Sequence, residues 1–286
     1  MLSAREVGVV ARRELTRNIR SGKGIAMFSL FLLGGLVFSM LVSNIIGMLL
    51  KRLAEKAELG NLPPELQRQL FESYLAEMYG SEATAKHLAG SPAILYFLFK
   101  GTLVFLPLLV LLVGFDQLAG EIQHRTIRYS VGRASRASIV VGKALGIWGV
   151  VSVMVLVLHV TVWILVLARG GASVGEIVSW GGRFWLFSCV CAASYVGFAC
   201  IVSSLFRTPI VALFVGAGIG AVLWLAHALL GLSPKTEAIT WAFPNAYEQL
   251  LVLPEAAKVL GGAVLFIVWG ALCVSASTLI MTRRDV

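Results

Sequence analysis

Six long, uninterrupted apolar blocks constrain this chain more than any other feature. They run 25–50, 93–114, 144–168, 184–206, 210–232 and 259–281. A helix rises about 1.5 Å per residue and needs roughly 20 residues to cross the hydrocarbon layer, so each block is long enough. No block alternates apolar with polar residues, as barrel strands do, and a backbone in lipid must satisfy its polar groups within its own segment. The expected fold is all-α: a polytopic integral membrane protein with six transmembrane helices. Composition agrees, because 58% of the residues are hydrophobic and only 14% are charged. An ordinary soluble domain carries about a quarter charged residues.

The charges lie between the blocks and set an orientation. With both ends inside the cell, 14 of the 24 Lys and Arg fall on the inner side and 9 on the outer, and Lys100 lies within the second span. Ten of the 15 acids fall outside, but acids contribute little to topology. Basic loops resist export, so both termini are expected in the cytoplasm, in the cell inner (cytoplasmic) membrane. The net charge of +9 is no sign of nucleic acid, because the basic residues flank apolar blocks instead of forming one stripe.

Residues 1–24 are charged and amphipathic. Val7, Val10, Ala11 and Leu15 share a helical face opposite Arg5, Arg13 and Arg20, the pattern of an interfacial elbow helix. The following block is too long for a signal-peptide core, so this segment is expected to stay on the mature protein. The outer segment 51–92 carries Leu66, Leu70, Tyr74 and Met78 four apart after Pro63 and Pro64, with a stop at Gly80, and reads as a small external helical hairpin. Segment 233–258 places Trp241, Phe243 and Tyr247 among prolines, as re-entrant or interfacial helices do, and 282–286 forms a short inner tail. Cys189, Cys191, Cys200 and Cys273 all lie in apolar blocks and read as packing residues; neither a disulfide framework nor a metal site is expected. Gly216 and Gly220 have the spacing that lets helices approach closely, either between subunits or within one.

The inner segment 115–143 holds Glu121, Thr126, Ser135, Arg136, Gly142 and Lys143. In this order they resemble the signature of the permease subunits of ABC transporters of the second type, the exporter-like family also called type V. Arg125 stands where that family usually has Gly, and Ala134 where Pro is common. The elbow helix, six spans, the turn with Ser203, Ser204 and Arg207, and the broken outer helices extend the resemblance along the chain.

Such a permease implies a separate cytoplasmic ABC ATP-binding subunit, two permease copies, a homodimer before a heterodimer, and a substrate path between them. The coupling residues toward the ATPase would be Glu121, Thr126, Arg128, Arg133, Arg136 and Lys143. No Gly-x-x-x-x-Gly-Lys-Ser/Thr occurs, so this chain lacks that route to ATP; ATP and Mg would bind the partner, and no cofactor is expected on this chain. It is read as non-catalytic. Lys100 either snorkels to the outer interface or faces the substrate path and attracts an anionic head group. The alternative function is a membrane anchor or mechanical scaffold of an ABC-ATPase complex. An ion-coupled carrier would want intramembrane acids, and no Asp or Glu lies inside any of the six blocks.

Overall fold

A computed structural model of the chain describes residues 2–56, 63–233 and 236–284. Residue 1, residues 57–62 of the expected hairpin segment, 234–235 of the segment 233–258 and 285–286 of the tail lie outside the described residues. Every regular element among those described is helical.

Helix α1 (Ala4–Arg20) stops where Ser21 turns extended, and α2 (Gly22–Lys56) starts at once. The Ser21 hydroxyl accepts from the Gly24 amide at 2.9 Å. Gly24 has no room for a side chain, since a Cβ would lie 1.7 Å from the Asn18 carbonyl oxygen. The elbow is thus fixed by a serine and a glycine. Next come α3 (Pro64–Tyr79), closed by Gly80 in the left-handed conformation at φ 63°, and α4 (Glu82–Leu88), capped by Ser81. The packed face of α3 is not the expected stripe of Leu66, Leu70, Tyr74 and Met78. Leu75 is fully buried and Phe71 and Tyr79 are half-buried, whereas Leu70, Tyr74 and Met78 stay exposed. The reason is the partner surface. Phe71 packs edge-on to Tyr96, and Tyr79 hydroxyl meets Tyr96 hydroxyl at 3.0 Å, which rotates the helix onto the 71/75/79 face.

The second span is α5 (Ala93–Gly114), followed by two short helices, α6 (Ala119–Gln123) and α7 (Ile127–Val131). Helix α8 (Arg136–Ala168) begins eight residues before the apolar block suggested. Ser135 caps it, accepting from the Ser138 amide at 3.1 Å, and Ile139 and Val140 are already buried. After α9 (Val174–Glu176) and a π-turn at Ile177–Gly181 come α10 (Gly182–Leu205) and α11 (Pro209–Leu230). Then α12 (Glu237–Thr240), a 3₁₀ turn at Pro244–Tyr247 and α13 (Glu248–Leu251) precede α14 (Ala256–Arg283).

Helices α2, α5, α8, α10, α11 and α14 are long and apolar enough to cross a membrane. Helix α10 is the hub, packed against α5, α8 and α14, with two-thirds of its most apolar stretch buried; almost none of that of α2 is. Its contact with α14 is backbone to backbone. A Cβ at Gly197 would sit 2.5 Å from the Gly270 carbonyl oxygen, and one at Gly270 would sit 2.5 Å from that of Ala193. Close packing of this kind supplies the cohesion that lipid, as apolar as the side chains, cannot. All four cysteines are buried as free thiols.

Helix α1 and the close of α14 meet at one end of the bundle. Arg136, on the first turn of α8, donates to the carbonyls of Met281, Thr282 and Arg284 at the close of α14, and α1 lies along α8. We call this the basic end. Helices α3, α4, α12 and α13 lie at the far end.

Candidate functional site

At the basic end α1 rests in a seam on α8 cut by Gly142 and Gly146. A Cβ at Gly142 would fall 2.6 Å from the Val10 Cβ, and one at Gly146 would fall 2.5 Å from that of Glu14. Only glycines let the two helices approach so closely. The apolar face of α1, with Val7 buried, therefore turns toward α8, and it carries Glu14 with it.

Glu14 meets Lys143 in that seam. Lys143 is 2% exposed and donates to Glu14 Oε1 at 2.5 Å and to Glu121 Oε1 at 2.8 Å. Arg17 closes the set, 2.7 Å from Glu14 Oε2 and 3.8 Å from Glu121 Oε1. Two cations and two carboxylates leave the cluster neutral, which is what burial demands of charges. It ties together α1, α6 and α8. Glu121 Oε2 is buried without a hydrogen-bond partner among the described residues.

The helix starts are joined as well. The Ser135 amide donates to Glu6 Oε2 at 3.1 Å, and the Ser3 amide donates to the Ser138 hydroxyl at 3.1 Å. Hydrogen bonds from the Ser138 hydroxyl first, then from the Ser135 backbone, hold the Glu6 carboxyl below its ordinary pKa. On the other side the bend between α5 and α6 hangs on α10. Ser203 hydroxyl accepts from the amides of Leu118 and Ala119 and donates to the Phe115 carbonyl. Lys23 bonds Asp116 at 2.7 Å and lies over the Phe115 ring at 4.1 Å.

Between α1 and the α6–α7 pair a groove of about 710 Å³ opens toward solvent. Arg5, Arg13 and Arg17 line one wall; Glu121, Thr126, Tyr129 and Arg133 line the other. The residues singled out in the sequence divide into two groups here. Thr126, Arg128 and Arg133 are exposed, together with Tyr129 at 79% exposure. Glu121, Arg136 and Lys143 instead hold the chain to itself, Arg136 through the α14 carbonyls and Lys143 beneath α1. Glu14, Gly146 and Tyr129 were not singled out. An acid on the apolar face of α1 was the one signal for Glu14.

The other residues picked from sequence lie elsewhere. Lys100 is near the far end, its Nζ 4.0 Å from Glu248 Oε2 on α13. Gly216 is used inside the chain, where a Cβ would fall 2.8 Å from Val202 and 3.0 Å from Leu111. Gly220 is more open, with Phe198 at 4.0 Å from such a Cβ. Residues 9–253 match the family described as ABC-2 family transporter protein, more than four-fifths of the chain. No curated protein matches it.

Proposed function

The chain belongs to the ABC-2 family of transporter proteins, and from that premise we propose that it is the permease subunit of an ATP-driven exporter or flippase whose motor is a separate ABC ATP-binding subunit. The supporting observation is the groove between α1 and α6–α7, open outward and backed by the Lys143 cluster. In this reading the basic end faces the cytoplasm of a cell inner membrane. Two copies of the chain pair, a homodimer before a heterodimer, with the substrate path between them. Both ATP and Mg belong to the partner.

The division of residues gives the mechanism. Thr126, Arg128, Tyr129 and Arg133 meet the ATPase, their guanidinium groups suited to carboxylates on its surface. Lys143, Glu121 and Glu14 transmit its movement, because they clamp the docking segment to α8, a spanning helix. Arg136 passes the same movement to α14 through its carbonyls. A rigid, neutral clamp under a polar docking surface turns a push on α6–α7 into a shift of two spans.

The test is affinity purification from membranes with mass spectrometry of what is retained, comparing wild type with Arg128→Glu/Arg133→Glu. Retention of an ABC ATPase by the wild type, and its loss with ATP turnover in the double variant, is expected. Unchanged co-purification and unchanged basal turnover, or reporter fusions that place 115–143 outside the cell, would overturn the reading. Complex that hydrolyses ATP but moves no lipid, sugar or drug in vesicles would favour a scaffold that borrows the same motor.

A further inference from the structure

Beside the spanning bundle, an apolar groove of about 230 Å³ runs where α2 parts from α5. Met27, Leu30 and Phe31 of α2 and Leu98, Leu108 and Leu112 of α5 line it, and Phe38 packs directly on Gly101 and Phe105. Leu158 of α8, 2% exposed, closes its inner side. Adjacent glycines create the gap. At Gly35 α2 presses on α8, so that a Cβ would lie 2.6 Å from the Leu158 methyls, while at Gly34 a Cβ would meet nothing within 4 Å. The groove is larger than the cavity of about 150 Å³ that stays dry and holds a benzene ring in a protein core. The one polar side chain among its described lining residues, Thr102, already donates to the Leu98 carbonyl at 2.8 Å and meets His159 Nε2 at 3.1 Å. Water gains nothing there.

The mouth of the groove toward the basic end is charged. Lys23 lies one helical turn before Met27 and bonds the Val113 carbonyl at 3.2 Å, just beyond Leu112. Asp116 balances Lys23 at 2.7 Å, and the exposed Arg20 adds a further positive charge three residues earlier. A hydrocarbon-depth slot that ends at a lysine in the headgroup layer, with Arg20 close by in sequence, has the layout of one lipid: chain within, phosphate at the rim.

The geometry points to this groove as a binding site for one acyl chain of an anionic phospholipid, drawn from the leaflet at the basic end, with the phosphate beside Lys23 and Arg20. Binding needs neither nucleotide nor ATPase partner, so this inference stands or falls apart from the proposed function. An occupied groove fills the space between α2 and α5 and holds the least buried span at a set distance from the bundle.

The full-length protein in mild detergent is offered phosphatidylglycerol or phosphatidylcholine with matched chains, each carrying a diazirine in one chain, and is read by native mass spectrometry and by mapping of the cross-links. Wild type is expected to retain one phosphatidylglycerol and to cross-link at α2 and α5 residues of the groove. Gly34→Leu places a side chain into open space without a clash and is expected to weaken retention about tenfold. Gly47→Leu, on the same helix and equally unobstructed, is expected to behave as wild type. Arg20→Gln is expected to keep the cross-link positions and reduce the preference for phosphatidylglycerol. Equal retention by wild type and Gly34→Leu, equal loss in both glycine variants, cross-links spread over every lipid-facing helix, or native mass spectra in which the protein retains no lipid would each overturn the site.

Discussion

Each end of the bundle holds an inward-reaching lysine, and the two are used differently. At the basic end Lys143 is 2% exposed and touches two carboxylates at 2.5 and 2.8 Å. At the far end Lys100 is 27% exposed and stands 4.0 Å from one carboxylate, Glu248. The elements around them follow suit. Helix α1 is fastened by the charge cluster lying in a glycine seam, whereas the far-end helices are fastened by rings: Phe71 on Tyr96, Tyr247 on Phe266, Trp241 beside Tyr247. Charges hold geometry tightly but tolerate no missing partner. Aromatic contacts tolerate adjustment.

The largest expected effect separates the two lysines. Lys143→Met leaves two carboxylates, Glu14 and Glu121, facing one cation, Arg17, and losing one partner of a buried charge pair costs about 3–5 kcal/mol. Lys100→Met removes a looser, half-buried pair 4.0 Å apart and is expected to cost less. Thermal unfolding of the two variants in the same detergent measures the gap, and protease cleavage within α1 should appear only in Lys143→Met. Equal destabilisation by the two would erase the distinction between the ends.

A smaller effect probes the seam itself. Gly146→Leu forces α1 away from α8 and is expected to cost about 1–3 kcal/mol, the usual range for overpacking, while Gly220→Leu on α11 has room and is expected to cost less. If Gly146→Leu unfolds at the wild-type temperature and α1 stays resistant to protease, the helices are held by charges alone.

These contrasts explain what the sequence could and could not reveal. Six spans were legible because a run of about 20 apolar residues has few other uses. The early start of α8 was hidden because Arg136 and Lys143 look like loop charges; they sit in a helix because α14 carbonyls and two carboxylates receive them. The stripe of α3 was misread because Leu66, Leu70, Tyr74 and Met78 and the neighbouring Phe71, Leu75 and Tyr79 are both apolar at helical spacing. The surface of α5 decides between them, with Phe71 and Tyr79 meeting Tyr96. The seam at Gly142 and Gly146 was illegible as a seam, since what a glycine admits depends on the element that crosses it.

The smallest effect concerns the backbone. Among the described residues three hold a left-handed φ: Gly80 at 63° and Gly170 at 67° toward the far end, and Arg125 at 55° between α6 and α7. The far-end turns use the residue that adopts this conformation freely. An L-residue there costs about 1–2 kcal/mol, and the position is the one where the resembled family usually has Gly. Arg125→Gly relieves that strain but loosens the unfolded chain by about 0.4–1 kcal/mol, so the variant is expected to be neutral to about 1 kcal/mol more stable. Arg125→Val, β-branched, is expected to lose stability. Thermal unfolding read beside ATPase co-purification decides the matter. A glycine variant that is stable yet releases the ATPase would show that the Arg125 side chain is held in a strained turn for the sake of the partner. Full retention would leave the strain without a docking role, and the basic end would then differ from the far end by its charge cluster alone.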